Sequence, residues 1–194
     1  QKNRFNRIKN TWSLRILMEK AFIFHGTGAS PEDHWFPWMK EKLEEKGLEV
    51  FVPDFPTPEN QSLEAWMEVL QDYPEIDEET ILIGHSTGAV FILSILEKVE
   101  NVKAAYLISG FTGKLGIEFD ELNKTFAEKE FDFENIRGSR EEIHVFHSAS
   151  DPYVPLEKGE ELARNIEASL NLKAEAGHFN TDSGYTEFPE LSKE

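Results

Sequence analysis

Gly84-His85-Ser86-Thr87-Gly88 sets a serine between two glycines where the apolar run Ile81-Leu82-Ile83 gives way to Ala89-Val90-Phe91-Ile92-Leu93. A serine on a sharp turn between a strand and a helix lifts its hydroxyl clear of the backbone, and such a turn has no room for bulk two residues to either side. The hydroxyl is a poor nucleophile until a neighbouring imidazole takes its proton, and that imidazole needs a carboxylate to hold its tautomer and steady its charge. Two later loops supply those types, Ser150-Asp151-Pro152-Tyr153 and Gly177-His178-Phe179. The chain order Ser86, Asp151, His178 is one that nature uses for acyl transfer at the edge of a parallel sheet. His25, His85, His144 and His147 are the competing bases and Asp182 the competing acid. His144 falls within a strand pattern, and His25 and His85 do not follow the expected order.

A tetrahedral intermediate also needs fixed donors for its oxyanion. The backbone N–H groups of Thr87, after the serine, and Thr27, in the loop His25-Gly26-Thr27-Gly28-Ala29-Ser30, are the candidates, with no part required of either side chain. That loop lacks the G-x-x-x-x-G-K-[ST] and G-x-G-x-x-G patterns of nucleotide phosphate sites. Trp35, Phe36 and Trp38, together with His25, are read as a shallow aromatic substrate pocket beside it, although aromatics at a helix start more often pack core. Asp33 and His34 have no further ligands at a metal-binding spacing, so no metal site is expected.

The elements that must carry these loops are legible as alternating patterns. Short apolar runs at Ala21–Phe24, Glu49–Val52, Ile81–Ile83, Ala104–Ile108, Ile143–Phe146 and Leu172–Ala174 read as strands buried on both faces. Between them lie helix patterns: Met39–Lys46, with Pro37 in its first turn and Gly47 behind it; Ser62 to about Gln71, with Leu63, Trp66, Met67 and Leu70 on one face; the run after Ser86; Leu156–Ile166; and a terminal helix from Phe188 to Lys193. The alternation predicts an α/β fold, a doubly wound, mostly parallel sheet of about six strands with helices on both faces. Residues 110–140 are the one long excursion, read as one or two short helices able to cover a cleft.

The chain has 194 residues, no cysteine and a formal net charge of −17. Without cysteine there is neither a disulfide framework nor a thiolate metal site, and a cytoplasmic location is expected. An acidic surface repels phosphate backbones and anionic lipid, so neither nucleic acid nor membrane is an expected partner. Lys2, Arg4, Arg7, Lys9 and Arg15 fall in residues 1–17 with no acid among them. That stretch is read as an N-terminal extension, disordered or foreign to the native chain, with Met18 as the natural start and 18–194 as one α/β-hydrolase domain.

The blocks His25-Gly-Thr-Gly-Ala-Ser30, His34-Trp-Phe-Pro-Trp38, Gly84-His-Ser-Thr-Gly88, Ser150-Asp-Pro-Tyr-Val-Pro155 and Gly177-His-Phe179 together resemble the small serine hydrolases of the YdeN and retinoblastoma-binding protein 9 family. The resemblance runs from about Met18 to the C-terminus. It implies a compact α/β-hydrolase fold without the usual leading antiparallel strands, a triad of Ser86, Asp151 and His178, and no cofactor. The L-x-C-x-E motif of retinoblastoma-pocket ligands cannot exist in a chain without cysteine, so that binding role does not carry over. The expected activity is cleavage of small esters or amides through an acyl-enzyme, with short acyl chains preferred. The alternative is a catalytically silent protein-interaction module on the same fold.

Overall fold

The computed structural model describes residues 19–191. The extension read over residues 1–17 lies outside them. Among the described residues six strands form one sheet: β1 (Lys20–Phe24), β2 (Glu49–Phe51), β3 (Thr80–His85), β4 (Ala104–Ile108), β5 (Glu142–Ser148) and β6 (Ser169–Lys173). Their order is β2-β1-β3-β4-β5-β6 and every pairing is parallel. A parallel sheet must be covered on both faces, and alternate strand residues here enter two separate cores. Phe22, Phe24, Leu82, Ala105, Leu107 and Val145 face one. Ala21, Ile23, Ile83, Tyr106, Ile108 and Phe146 face the other.

Six α-helices accompany them: α1 (Phe36–Glu45), α2 (Leu63–Leu70), α3 (Thr87–Leu96), α4 (Asp120–Ala127), α5 (Phe133–Gly138) and α6 (Leu156–Asn165). The helix α1, with Pro37 in its first turn, packs Phe36, Met39 and Leu43 onto the second core. Gly47 lies just beyond it at φ 92°, and its N–H donates to Glu44 O at 2.9 Å. At the start of α2 the Ser62 hydroxyl accepts from Ala65 N at 3.1 Å, capping an N–H that would otherwise lack a partner. All ten residues of α3 are buried, which an apolar sequence on every side of the helix requires: the sheet lies against one flank, α4 and α5 against another.

The excursion at residues 110–140 therefore contains both α4 and α5, held by Phe126 and Ile136 in the first core. Gly113 N donates to Ala127 O at 2.9 Å and Leu63 N to the Thr125 hydroxyl at 2.9 Å, tying the start of the excursion to the end of α4 and α4 to the first residue of α2. One reading is corrected. The last strand begins three residues earlier than its apolar run, at Ser169, because parallel pairing with β5 recruits Ser169 opposite His144 regardless of hydropathy. The terminal helix read over Phe188–Lys193 lies partly outside the described residues; within them the chain has a 3-10 turn at Thr181–Ser183 and a turn in which Leu191 N donates to Phe188 O at 3.1 Å. Phe188 is fully buried and stacks on Phe179 at 5.3 Å between ring centres.

Candidate active site

Ser86 stands directly after β3, in the middle of the sheet, with φ 56° and ψ −120°. A non-glycine residue at positive φ is strained, and the strain is held by its neighbours. A Cβ on Gly84 would fall 2.6 Å from the Gly88 carbonyl, and one on Gly88 would run into Phe24 O and lie 2.6 Å from His25 O. Gly26 approaches just as closely, since a Cβ there would sit 2.8 Å from Ser86 Cβ. The glycines thus let the loop after β1, the turn at Ser86 and the start of α3 meet at one point. Ser86 N donates to Ile108 O at 2.8 Å, fixing the turn to β4.

Asp151 follows β5 and His178 follows β6, so both rise at the carboxyl edge that carries Ser86. His178 Nδ1–H donates to Asp151 Oδ2 at 2.8 Å, with Oδ1 at 3.0 Å. The Asp151 side chain is fully enclosed. Its Oδ1 accepts from the N–H groups of Tyr153 and Val154, each at 3.0 Å, and its Oδ2 from the Ser109 hydroxyl at 2.8 Å. Burial alone would raise the Asp151 carboxyl. The hydrogen bond and charge of His178, with the N–H groups of Val154 and Tyr153, outweigh it and hold the carboxyl below its ordinary value. Asp182, the competing acid, is exposed in the 3-10 turn.

The loops of the acid and the imidazole are stitched together by serines. The Ser148 hydroxyl accepts from Ala176 N at 2.9 Å and the Ser150 hydroxyl from Gly177 N at 3.1 Å. The His85 ring lies 4.8 Å from that of His178 between centres, and Tyr153 stands edge-on to His178 at 5.0 Å. His85 Nε2–H donates to His178 O at 2.7 Å, leaving its buried Nδ1 without a partner. Burial, and then the charge of His178, push the His85 ring well below the ordinary imidazole value, so it stays neutral.

The other imidazoles are spoken for. His25 donates from Nδ1 to Gly26 O at 2.9 Å and accepts Phe55 N at Nε2 at 3.0 Å. His147 donates from Nε2 to Val154 O at 3.1 Å. Both are buried, and burial lowers both. His144 stacks on Tyr106 within the sheet.

The aromatic pocket read from the sequence is instead packed core. His25, Trp35 and Phe36 are 0% exposed, and Trp35 Nε1 donates to Phe179 O at 2.9 Å. Trp38 is half-buried against the same core. A run of aromatics shows that a surface must be covered, but not which face of the loop turns outward. The exposed aromatic beside His178 is Tyr153, with Phe119 6.2 Å from it.

Thr27 and Thr87 do come together, through their side chains: the two hydroxyls are 2.9 Å apart and both contact Asn123 Oδ1, at 2.9 and 2.7 Å. Ser109, Asn123 and Gln61 were not legible as site residues. Ser109 had a faint signal, a polar residue at the carboxyl end of an otherwise apolar strand. Asn123 and Gln61 had none. A cavity of about 1060 Å³ borders Met67, Tyr73, Ile76, Ile95 and Val99 at the opposite, amino-terminal edge of β3 and β4, away from all of these groups. Among the described residues no cluster of three or more His, Asp or Glu side chains has the geometry of a metal site, and no helix is long and apolar enough to cross a membrane.

A parallel sheet of this order, a strained serine after its central strand, and an aspartate–histidine pair on the same edge define the α/β-hydrolase fold. Residues 21–194 match the serine hydrolase family, and the chain belongs to it. It is 33% identical over 177 residues to YdeN of Bacillus subtilis (strain 168), named as a hydrolase, covering 89% of this chain and 92% of that protein. It is 30% identical over 175 residues to the serine hydrolase RBBP9 of Rattus norvegicus, covering 89% and 91%. The crystal structure of the B. subtilis ydeN gene product superimposes with a TM-score of 0.84 at 32% identity, over 91% of this chain and 96% of that one. Est1E of Butyrivibrio proteoclasticus shares the fold at 15% identity, with a TM-score of 0.66 over 91% of each chain.

Proposed function

We propose that the enzyme cleaves small neutral esters or amides by covalent catalysis, with Ser86 as nucleophile, His178 as general base and Asp151 as its partner. The observation that carries this reading is the 2.8 Å contact between His178 Nδ1 and the enclosed Asp151 carboxylate, whose surroundings favour its charged form and so place the proton on Nδ1. With the proton fixed on Nδ1, the lone pair of Nε2 is free to take the Ser86 proton as Oγ attacks the carbonyl carbon. The resulting oxyanion is received by the N–H groups of Thr87 and Thr27; Thr87, at the first position of α3, has an N–H with no partner inside the helix. His178 then gives its proton to the leaving group. Water, activated by the same ring, hydrolyses the acyl-enzyme and regenerates Ser86.

The acyl pocket is read as short. Phe111 and Phe126 are buried in the first core and Phe131 and Phe133 pack against it, which leaves of the excursion's phenylalanines only Phe119, beside Tyr153, to line an acyl site. Each methylene of a long acyl chain contributes about 0.8 kcal/mol only where protein surrounds it. Ser86→Ala is expected to abolish turnover of p-nitrophenyl acetate and labelling by a fluorophosphonate probe; wild-type turnover in that variant would sink the reading and leave the silent interaction module. Across a series of neutral p-nitrophenyl esters, kcat/KM is expected to fall with chain length, and a steady rise from acetate to palmitate would refute the short pocket.

A further inference from the structure

Thr27 is bracketed by Gly26 and Gly28, and Gly28 adopts φ 73° with open space around it. A backbone flanked by glycines has little preference of its own, so the direction of the Thr27 N–H has to be fixed from outside. One side chain does this from two sides. Gln61 Nε2 donates to the Thr27 hydroxyl at 2.8 Å and to Leu122 O at 3.0 Å. Its Oε1 accepts from the Thr57 hydroxyl at 2.6 Å, whose oxygen in turn accepts Gly28 N at 2.7 Å.

The chain of bonds continues inward. The Thr27 hydroxyl meets that of Thr87, and the Thr87 hydroxyl donates to Asn123 Oδ1 at 2.7 Å. Thr87 is 0% and Asn123 5% exposed, so these polar groups are satisfied by one another, not by bulk water. The network joins the loop after β1, the first turn of α3 and the excursion helix α4, and its two central threonines are those whose N–H groups are read as oxyanion donors.

We propose that Gln61 and Asn123 are positioning residues of the oxyanion hole, holding the Thr27 and Thr87 N–H groups at the spacing the tetrahedral oxyanion needs. This rests on the reading of Ser86 chemistry above. Donors aimed at the oxyanion act in the transition state and not on the bound ester, and loss of one whole donor costs about 10²–10³ in kcat. Misdirecting donors that remain present should cost less, about tenfold to a hundredfold.

The test uses the full chain with Gln61→Glu, which keeps the shape but removes the donor to Thr27, and Asn123→Leu, which removes the acceptor. Thr57→Val is a third variant that cuts only the Gly28 side. In those that retain the wild-type melting profile, kcat for p-nitrophenyl acetate is expected to fall about tenfold to a hundredfold with KM within about threefold. Affinity for phenylboronic acid, whose serine adduct mimics the tetrahedral state, is expected to weaken by the same factor. Wild-type kcat and boronate affinity in folded variants would overturn the proposal, as would a rise in KM with kcat unchanged. An active Ser86→Ala enzyme would instead overturn the hydrolase mechanism itself.

Discussion

Asp151 receives four donors, from His178, Ser109, Tyr153 and Val154, and each favours the carboxylate over the acid. Replacing it by asparagine keeps the shape but can present an N–H where His178 Nδ1–H now points, turning the ring to the wrong tautomer. Asp151→Asn is expected to fold normally and lose up to about ten-thousand-fold in kcat, while Asp182→Asn stays at the wild-type rate. A comparable loss in Asp182→Asn with none in Asp151→Asn, measured on the same ester, would reassign the acid. The pairing of Asp151 with His178 was legible because each type ends a predicted strand in an order that chemistry recognises. Ser109, Gln61 and Asn123 were not, because a serine, a glutamine or an asparagine in a loop or short helix has no spacing that distinguishes a site residue from a solvated one.

Among the elements, the turn joining β3 to α3 is the most constrained by close approach. Gly88→Ala would drive a methyl group into Phe24 O, which belongs to backbone in β1 and cannot yield as a side chain can. A loss of about 3 kcal/mol or more is expected in urea denaturation, with activity lost in whatever fraction folds. Gly138→Ala, at the end of α5 with open space around it, is expected to be neutral or to gain up to about 1 kcal/mol. A Gly88→Ala protein as stable as the wild type would mean the three segments are less tightly joined than described. The strands were legible from their apolar runs, since a buried parallel strand needs nothing else. The start of the edge strand β6 was not: pairing with β5 fixed it, a long-range effect that local periodicity does not carry.

For the molecule as a whole, the buried imidazoles set a pH dependence whose direction follows from burial. His25, His85 and His147 are each lowered from 6.5 by desolvation. The unfolded chain takes up protons on these rings near that pH while the folded one resists. Their contribution to stability is complete above about pH 6.5 and declines as pH falls from there towards the folded values, by up to about 1.4 kcal/mol per pH unit for each ring. Asp151, lowered below 3.8, keeps its contribution throughout that window. Relief of repulsion on the acidic surface works the other way, and salt screens it. Urea midpoints in high salt are therefore expected to drop between about pH 7.5 and 5.5; a midpoint that stays level would contradict the neutral, buried assignment of these rings.

The outermost strand β6 has a neighbour on one side only, and of its five residues none is fully buried. Yet the loop that leaves it carries His178, whereas Ser86 grows from the centre of the sheet. Peeling of a peripheral strand costs far less than global unfolding. The molecule is thus divided into a durable half that keeps Ser86, the proposed nucleophile, and a looser half that presents His178, the proposed base. Mild denaturant would silence it while most of its secondary structure, and the Ser86 turn within it, stayed intact.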